Sequence, residues 1–362
     1  MTMDGNSHGA REIITAAEQL AGTAGIYGAP VLTPLQGGRN NRVFRMIIGN
    51  ISFLLKAYFR HEKDPRDRLG TEYAFLSFVW SRGMKMIPRP IAADPVRSLG
   101  LYEFINGEKL SAGEIKEDHV RQALDFYFAL NAAPDNPAAR NLPNASEACF
   151  SISDHLILVD RRLRRLLAIE PGNGFEAAHQ FIHEELFKTW KDIRKGILKR
   201  AAEWGVNVDK RLSDEKRVLS PSDFGFHNAI LEPGGRLRFL DFEYAGWDDP
   251  AKMVCDFCCQ PEVPIPPEYF SFFQESVIAV SAEAEVLRKR IRFLLPVYRI
   301  KWCCIMLNDF LPVDNERRDF SNQRSQEKRR SAQLQKARRY FADWVEVDDK
   351  RNSPAKKVKH KG

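Results

Sequence analysis

The chain has no uninterrupted apolar run long enough to cross a bilayer, which takes about 20 residues in a helix. Its first nine residues, Met1 to Gly9, are polar and contain no apolar core of a secretory signal peptide. Both absences argue against a membrane-spanning or secreted protein. We therefore expect a soluble, cytoplasmic protein without a membrane partner.

Cysteines are few, at six of 362 residues, and they lack the spacing of a zinc finger. Cys255, Cys258 and Cys259 lie close together, but they fall inside an apolar run and no matching His/Cys set follows. The pattern favours buried free thiols in a reducing cytoplasm over a zinc site.

An excess of charge is also absent from most of the chain, although the formal net charge is +7. Residues 350–362 hold six Lys or Arg and no acid, which leaves 49 basic against 48 acidic residues over 1–349. The basic balance is therefore poor support for a nucleic-acid partner. We interpret residues 347–362 as a disordered, solubilising tail, with attraction to nucleic acid or an acidic surface as the alternative.

Apolar residues make up 44% of the chain, enough for two packed units. In the first 106 residues their spacing is mostly that of strands, with a tight turn at Gly49-Asn50. The predicted elements are a helix over 10–22, strands over 31–35, 43–48 and 51–58, a helix over 69–82 and a strand over 99–105.

After Asn106 the pattern changes to that of long helices. These are predicted over 113–132, 151–169, 175–203, 265–283, 285–310 and 320–344, with hairpin-like strands over 230–242. The sequence therefore predicts an α+β, bilobal chain: a small β-rich N-lobe (1–106), a larger and mainly helical C-lobe (107–346) and the basic tail (347–362).

Three polar residues in the C-lobe have the spacing of a phosphoryl-transfer site. Asp223 and Asn228 stand five residues apart, and Asp241 follows eighteen residues after Asp223. Hard oxygen ligands of this kind hold the magnesium that neutralises a phosphoryl group. Each residue has an alternative role, because Asp223 or Asn228 can cap a turn and Asp241 can end a strand.

Residues suited to nucleotide binding precede this triplet. The glycine pair in Gln36 to Asn41 lies between two predicted strands, where a loop can bring backbone N–H groups close to phosphates. Lys56 closes an apolar strand, where it is either a phosphate ligand or a lysine whose ammonium reaches solvent. Glu72, sixteen residues later in a predicted helix, is suited to pair with Lys56.

In this order the motifs resemble those of the aminoglycoside phosphotransferase and choline kinase-like family of small-molecule kinases, which share the protein-kinase fold. The resemblance spans most of residues 30–345. It implies that Asp223 is catalytic, acting on the acceptor hydroxyl, and that Asn228 and Asp241 bind Mg²⁺. It also implies a site for ATP (or GTP), with adenine held by the backbone of a hinge between the lobes. The residues assigned to this nucleotide site are Gly37, Gly38, Asn40, Lys56, Glu72, Glu103, Phe104 and Ile105.

The chain departs from the family pattern at two places. Pro221 stands where the family usually has a His, two residues before Asp223, and Phe242-Glu243 replaces Phe-Gly after Asp241. The first departure motivates an alternative function, a catalytically weak, nucleotide-binding pseudokinase with a regulatory role. A further hypothesis is a binding protein that acts through its basic tail.

The acceptor is expected to be a small hydroxylated compound of the aminoglycoside, sugar or amino-alcohol type, and not a protein. Gly225 stands where protein Ser/Thr kinases commonly carry a Lys. Residues 242–260 contain no Ser or Thr that an activation loop would present. Asp309 is the preferred candidate for an acidic group in the acceptor site.

Overall fold

The computed structural model describes residues 5–35, 41–60, 66–132, 136–172, 174–311 and 326–352. Within these ranges the first part of the chain is built on an antiparallel sheet and the remainder is mainly helical. The predicted α+β class is confirmed.

The N-lobe is a five-stranded antiparallel sheet with one helix before it and one inserted into it. The strand order is β1-β2-β3-β5-β4. The elements are α1 (Gly5–Thr23), β1 (Val31–Leu35), β2 (Asn41–Ile48), β3 (Ile51–Tyr58), α2 (Arg68–Ser81), β4 (Pro90–Asp94) and β5 (Leu99–Glu103).

Local chemistry accounts for the centre of this sheet. Ile48 pairs with Ile51 across the Gly49-Asn50 turn, and Gly49 has a φ of +58°, a left-handed conformation that glycine adopts without strain. Strand β3 is paired on both sides, with β2 and with β5. Lys56, near the end of β3, is thus held by two neighbouring strands.

One face of the sheet packs on α1. Ala17 and Leu20 of the helix meet Met46, Leu55 and Leu101 of the strands in a separate apolar cluster. The edge strand β4 was not predicted, because Pro88 and Pro90 were interpreted as the end of a helix. Pro90 is accommodated because it begins an edge strand, where a missing N–H leaves no ladder bond unmade.

The C-lobe contains most of the helices and three short strand pairs. The helices are α3 (Glu117–Asn131), α4 (Pro137–Arg140), α5 (Ile152–Leu167), α6 (Glu176–Gln180), α7 (Phe187–Glu203), α8 (Pro250–Cys259), α9 (Phe270–Ala279), α10 (Ala284–Met306) and α11 (Gln326–Asn352). The strands are β6 (Glu108–Lys109), β7 (Val218–Ser220), β8 (Ala229–Leu231), β9 (Leu237–Phe239) and β10 (Gly246–Asp248). A π-helical turn, Phe181–Leu186, joins α6 to α7, so the predicted helix 175–203 is continuous.

Helix α10 lies at the centre of the C-lobe and packs against α5, α8 and α11. All six cysteines are buried and free, as predicted. Burial raises the pKa of Cys259 to about 12, so this thiol stays protonated at neutral pH. In the part of the chain that the structure describes, no three His, Cys, Asp or Glu residues come together as a metal site.

The chain enters the C-lobe at a close backbone approach. Strand β6 pairs with β8, and a Cβ atom on Gly107 would lie 2.4 Å from the carbonyl oxygen of Leu231. Glycine is therefore required at 107 because two segments of main chain are nearly in contact.

The final helix packs onto the C-lobe through the predicted apolar face. Ala337, Phe341 and Trp344 are buried, and Leu334 is partly buried. The start of the predicted helix 320–344 and residues 353–362 lie outside the described residues. Among the helices that are described, none is long and apolar enough to cross a membrane.

Candidate active site

Lys56 is buried between the lobes and bridges two carboxylates. Its Nζ lies 2.6 Å from Glu72 Oε2, on α2, and 2.8 Å from Asp241 Oδ1, in the loop after β9. Lys56 is 6% exposed, so the alternative of a lysine whose ammonium reaches solvent is wrong. The predicted pairing of Lys56 with Glu72 is present in the structure.

Burial acts to lower the pKa of the Lys56 ammonium, since a charge is poorly solvated away from water. The negative charges of Asp241, Glu72 and Glu243 outweigh this effect, and the pKa lies well above its ordinary value. Lys56 is therefore a fixed positive charge at every physiological pH. Such a charge is suited to hold an anionic group.

Glu72 is fixed by more than Lys56. Its Oε2 also accepts a hydrogen bond of 2.6 Å from the Tyr58 hydroxyl, which lies 2.7 Å from the hydroxyl of Tyr102. Its Oε1 accepts a bond of 3.3 Å from the backbone N–H of Phe242. Because Phe242 follows Asp241, Glu72 holds both Lys56 and the Asp241 loop in place.

The β8–β9 hairpin brings Asn228 and Asp241 to the same end of a strand pair. Ala229 pairs with Phe239, and the N–H of Leu240 donates to the carbonyl oxygen of Asn228 at 2.8 Å. Asp241 has a φ of +67°, which is uncommon for a residue other than glycine and occurs preferentially at functional sites. Its carboxylate is 35% exposed and accessible from the cleft.

Asp223 lies between β7 and β8, next to Asn228. The amide nitrogen of Asn228 lies 3.0 Å from the carbonyl oxygen of Asp223 and 3.3 Å from its Oδ2. This orientation leaves the amide oxygen of Asn228 as the atom suited to a metal ion. It also braces the turn, so the structural role considered for Asn228 is present alongside the functional one.

His227 contacts the other oxygen of Asp223 and was missed by the sequence reasoning. Its Nε2 lies 3.2 Å from Asp223 Oδ1. The ring packs so closely over Gly225 that a Cβ there would lie 2.8 Å from His227 Nδ1. Gly225 had been interpreted only as a missing lysine, and nothing in the local sequence indicated that it makes room for a ring.

The predicted hinge lies at the end of β5. The side chain of Glu103 accepts a bond of 2.7 Å from Arg238 and one of 3.0 Å from the N–H of Arg89. The Arg45 guanidinium lies over the Phe104 ring at 4.9 Å, and Ile105 is buried. The Glu103 side chain thus joins the two lobes, and any contact with a base at the hinge falls to the backbone.

Gly37, Gly38 and Asn40, the predicted phosphate-binding positions, lie outside the described residues. Asp309 is 1% exposed, and its Oδ1 lies 4.0 Å from Arg329 Nε. A carboxylate buried against an arginine is poorly placed to attract a cationic acceptor.

The described residues suit Mg²⁺ better than a metal that needs a protein cage. Asp241 supplies a carboxylate and Asn228 an amide oxygen, both hard ligands. Magnesium is commonly held by one or two such groups together with phosphate oxygens and water. The lack of a larger acidic cluster among the described residues fits this pattern.

Comparisons with known proteins agree with this geometry. A profile of the phosphotransferase enzyme family matches residues 31–257. No curated protein sequence matches the chain significantly.

Solved structures with the same fold cover nearly the whole chain. A spectinomycin phosphotransferase, solved with ADP and spectinomycin, has a TM-score of 0.58 at 12% identity and covers 90% of this chain and 98% of its own. A choline/ethanolamine kinase family protein from Mesorhizobium loti has a TM-score of 0.57 at 16% identity, covering 92% and 94%. A choline kinase from Cryptosporidium parvum has 0.56 at 13%, covering 94% and 97%. The predicted bilobal, protein-kinase-like fold is confirmed.

Proposed function

Because the chain belongs to the phosphotransferase enzyme family, we propose that it transfers the γ-phosphoryl group of ATP, with Mg²⁺, to a hydroxyl group of a small molecule. The acceptor class follows from the structural relatives, which include choline kinases and a spectinomycin phosphotransferase. GTP is the alternative donor.

One observation carries the proposal. Five side chains from distant parts of the sequence, Lys56, Glu72, Asp223, Asn228 and Asp241, lie in one chain of contacts across the cleft between the lobes. A purely structural cluster would not require two exposed carboxylates beside a buried ammonium. Asp223 and Asp241 are 32% and 35% exposed, as groups that meet a ligand must be.

Each residue then has a role that its position allows. Magnesium, when bound, neutralises the charge that develops on the transferred group. Asn228 and Asp241 would hold the ion, and Lys56, kept in place by Glu72, would hold phosphate oxygens. Asp223 accepts the proton of the acceptor hydroxyl or orients it, and His227 and Asn228 keep its two oxygens in position. Alignment and fixed charges supply most of the acceleration.

The test is magnesium-dependent nucleotide consumption in the presence of sugars, amino-alcohols and aminoglycosides. Asp223→Asn removes the proton acceptor without adding bulk. We expect it to lower kcat by about 100-fold or more, while ADP binding, measured by calorimetry, is unchanged. Asp125→Asn, at an exposed position on α3, is the matched control and should leave both unchanged.

Three outcomes have different meanings. Full turnover in Asp223→Asn removes Asp223 from the mechanism. Nucleotide binding by the wild type without transfer to any acceptor favours the pseudokinase alternative. Failure to bind nucleotide at all contradicts the proposal itself.

A further inference from the structure

Glu243 occupies the place after Phe242 where the family pattern has glycine, and it is buried between the lobes. It is 2% exposed. Its Oε2 accepts a hydrogen bond of 2.6 Å from the amide nitrogen of Asn41, the first residue of β2. Its Oε1 lies 3.8 Å from Nε of Arg68, the first residue of α2.

Asn41 and Arg68 are in turn connected to each other. The N–H of Phe59, just after β3, donates to Asn41 Oδ1 at 3.3 Å, and Arg68 Nη1 donates to the Phe59 carbonyl oxygen at 3.1 Å. Asn41 and Arg68 are 4% and 2% exposed. Asn41, Phe59, Arg68 and Glu243 thus form a closed, buried ring of contacts, called here the Glu243 ring.

The Glu243 ring joins the two halves of the proposed site. Three of its members belong to the N-lobe, where β3 carries Lys56 and α2 carries Glu72. The fourth lies two residues after Asp241. A buried carboxylate costs free energy unless it is paired, so Glu243 favours the arrangement in which the Asp241 loop lies against β2 and α2.

We propose that Glu243 is a positioning residue that couples nucleotide binding in the N-lobe to magnesium binding at Asp241. This inference rests on the proposed function, because it assumes that Lys56 and Asp241 act on the same nucleotide and its metal ion. Each ligand stabilises the arrangement that the other needs, so the ring makes their binding cooperative. Asn41 and Arg68 are the partners through which Glu243 acts.

The test measures the dissociation constant of ADP by calorimetry, with Mg²⁺ and with EDTA. The ratio of the two constants reports the coupling. We expect Asn41→Asp, which sets two carboxylates against each other, to lower this ratio by about fivefold or more. The exchanged pair Asn41→Asp/Glu243→Gln again has one amide and one carboxylate, and it should recover most of the coupling.

Glu147→Gln is the matched control. Glu147 also binds an arginine, with 2.5 Å between Oε2 and Arg162 Nη2, but it lies outside the ring. It should lower the melting temperature and leave the ratio of ADP constants unchanged.

The outcomes separate the ring from the proposed function. An unchanged ratio in Asn41→Asp, or no recovery in the exchanged pair, overturns the role of Glu243 while wild-type nucleotide binding keeps the proposed function. Absence of ADP binding by the wild-type protein overturns both.

Discussion

Lys56 and Lys216 form salt bridges of similar length in different surroundings. Lys56 lies 2.6 Å from Glu72 with both side chains buried, whereas Lys216 lies 2.7 Å from Glu283 with side chains 40% and 44% exposed. Removing one partner of a buried pair leaves an uncompensated charge out of water, while an exposed partner is simply hydrated.

We therefore expect Lys56→Met to lower the free energy of unfolding by about 3 kcal/mol, and Lys216→Met to change it by less than about 1 kcal/mol. Urea unfolding of the two variants provides the comparison. The loss of the ammonium should also weaken ADP binding in Lys56→Met alone. Equal stability of the two variants would show that Glu72 is hydrated in the absence of Lys56.

His155 is a neutral residue in the C-lobe core. It is fully buried, with Nδ1 2.8 Å from the Tyr298 hydroxyl and Nε2 3.0 Å from Asp249 Oδ2. Arg290 also binds Asp249 Oδ2, at 2.5 Å. Burial lowers the pKa of His155 more than Asp249 raises it, so the ring remains neutral in the folded protein below the pH at which an unfolded histidine is protonated.

A histidine whose pKa is lowered by folding stabilises the protein fully above its unfolded pKa of about 6.5, and this stability is lost as pH falls below that value. Wild-type protein should therefore lose more stability between pH 7 and pH 5.5 than His155→Gln, which does not titrate. Urea midpoints at the two pH values measure the difference. Equal losses would mean that His155 does not contribute to the acid sensitivity.

At the scale of single elements, two glycines have opposite functions. Gly107 lies against the Leu231 carbonyl, whereas a Cβ on Gly196, inside α7, would meet nothing within 4 Å. Alanine at 107 forces two main-chain segments apart, but alanine at 196 only improves helix propensity.

We expect Gly107→Ala to destabilise the protein by about 1–3 kcal/mol and Gly196→Ala to stabilise it by about 1 kcal/mol. Thermal unfolding of both variants checks the signs. Stabilisation by Gly107→Ala would mean that β6 and β8 can separate without cost.

Long elements could be predicted from the sequence because a periodic apolar pattern records which face is buried. Strand β3 was predicted with the bounds it has, and α2 to within one residue at each end. The short strands β6, β7 and β10 were not predicted, since two or three residues carry no period and their pairing depends on distant partners. Helix α10 continues through Pro296, which shows tertiary packing prevailing over local propensity.

The candidate site was predictable where spacing along the chain carries the chemistry. Asp223, Asn228 and Asp241 were found this way, together with Lys56 and Glu72. His227 and the Glu243 ring were not, because their contacts depend on a glycine that admits a ring and on residues about 200 positions apart. The left-handed backbone of Asp241 was equally invisible, since nothing in its identity requires it.

At the scale of the whole molecule, the proposed nucleotide site contains residues from both lobes. Magnesium and ADP should therefore stabilise the folded chain as one unit, by about 2.7 kcal/mol at 100 times the dissociation constant. Thermal unfolding should show one transition that moves upward by several degrees. In Asp241→Asn the shift with ADP alone should remain, while the additional shift with magnesium should be lost. A magnesium effect that persists would place the ion elsewhere.

Arg238, on β9, determines how the two lobes can move. Its Nη2 donates to the Ile87 carbonyl oxygen at 2.8 Å and to Glu103 at 2.7 Å, and its Nη1 donates to Glu232 at 3.1 Å. One guanidinium thus fastens the hinge to the hairpin that carries Asn228 and Asp241. We expect the lobes to rotate about this point, so that the adenine end of the cleft keeps its width while the distant Gly49-Asn50 turn travels furthest.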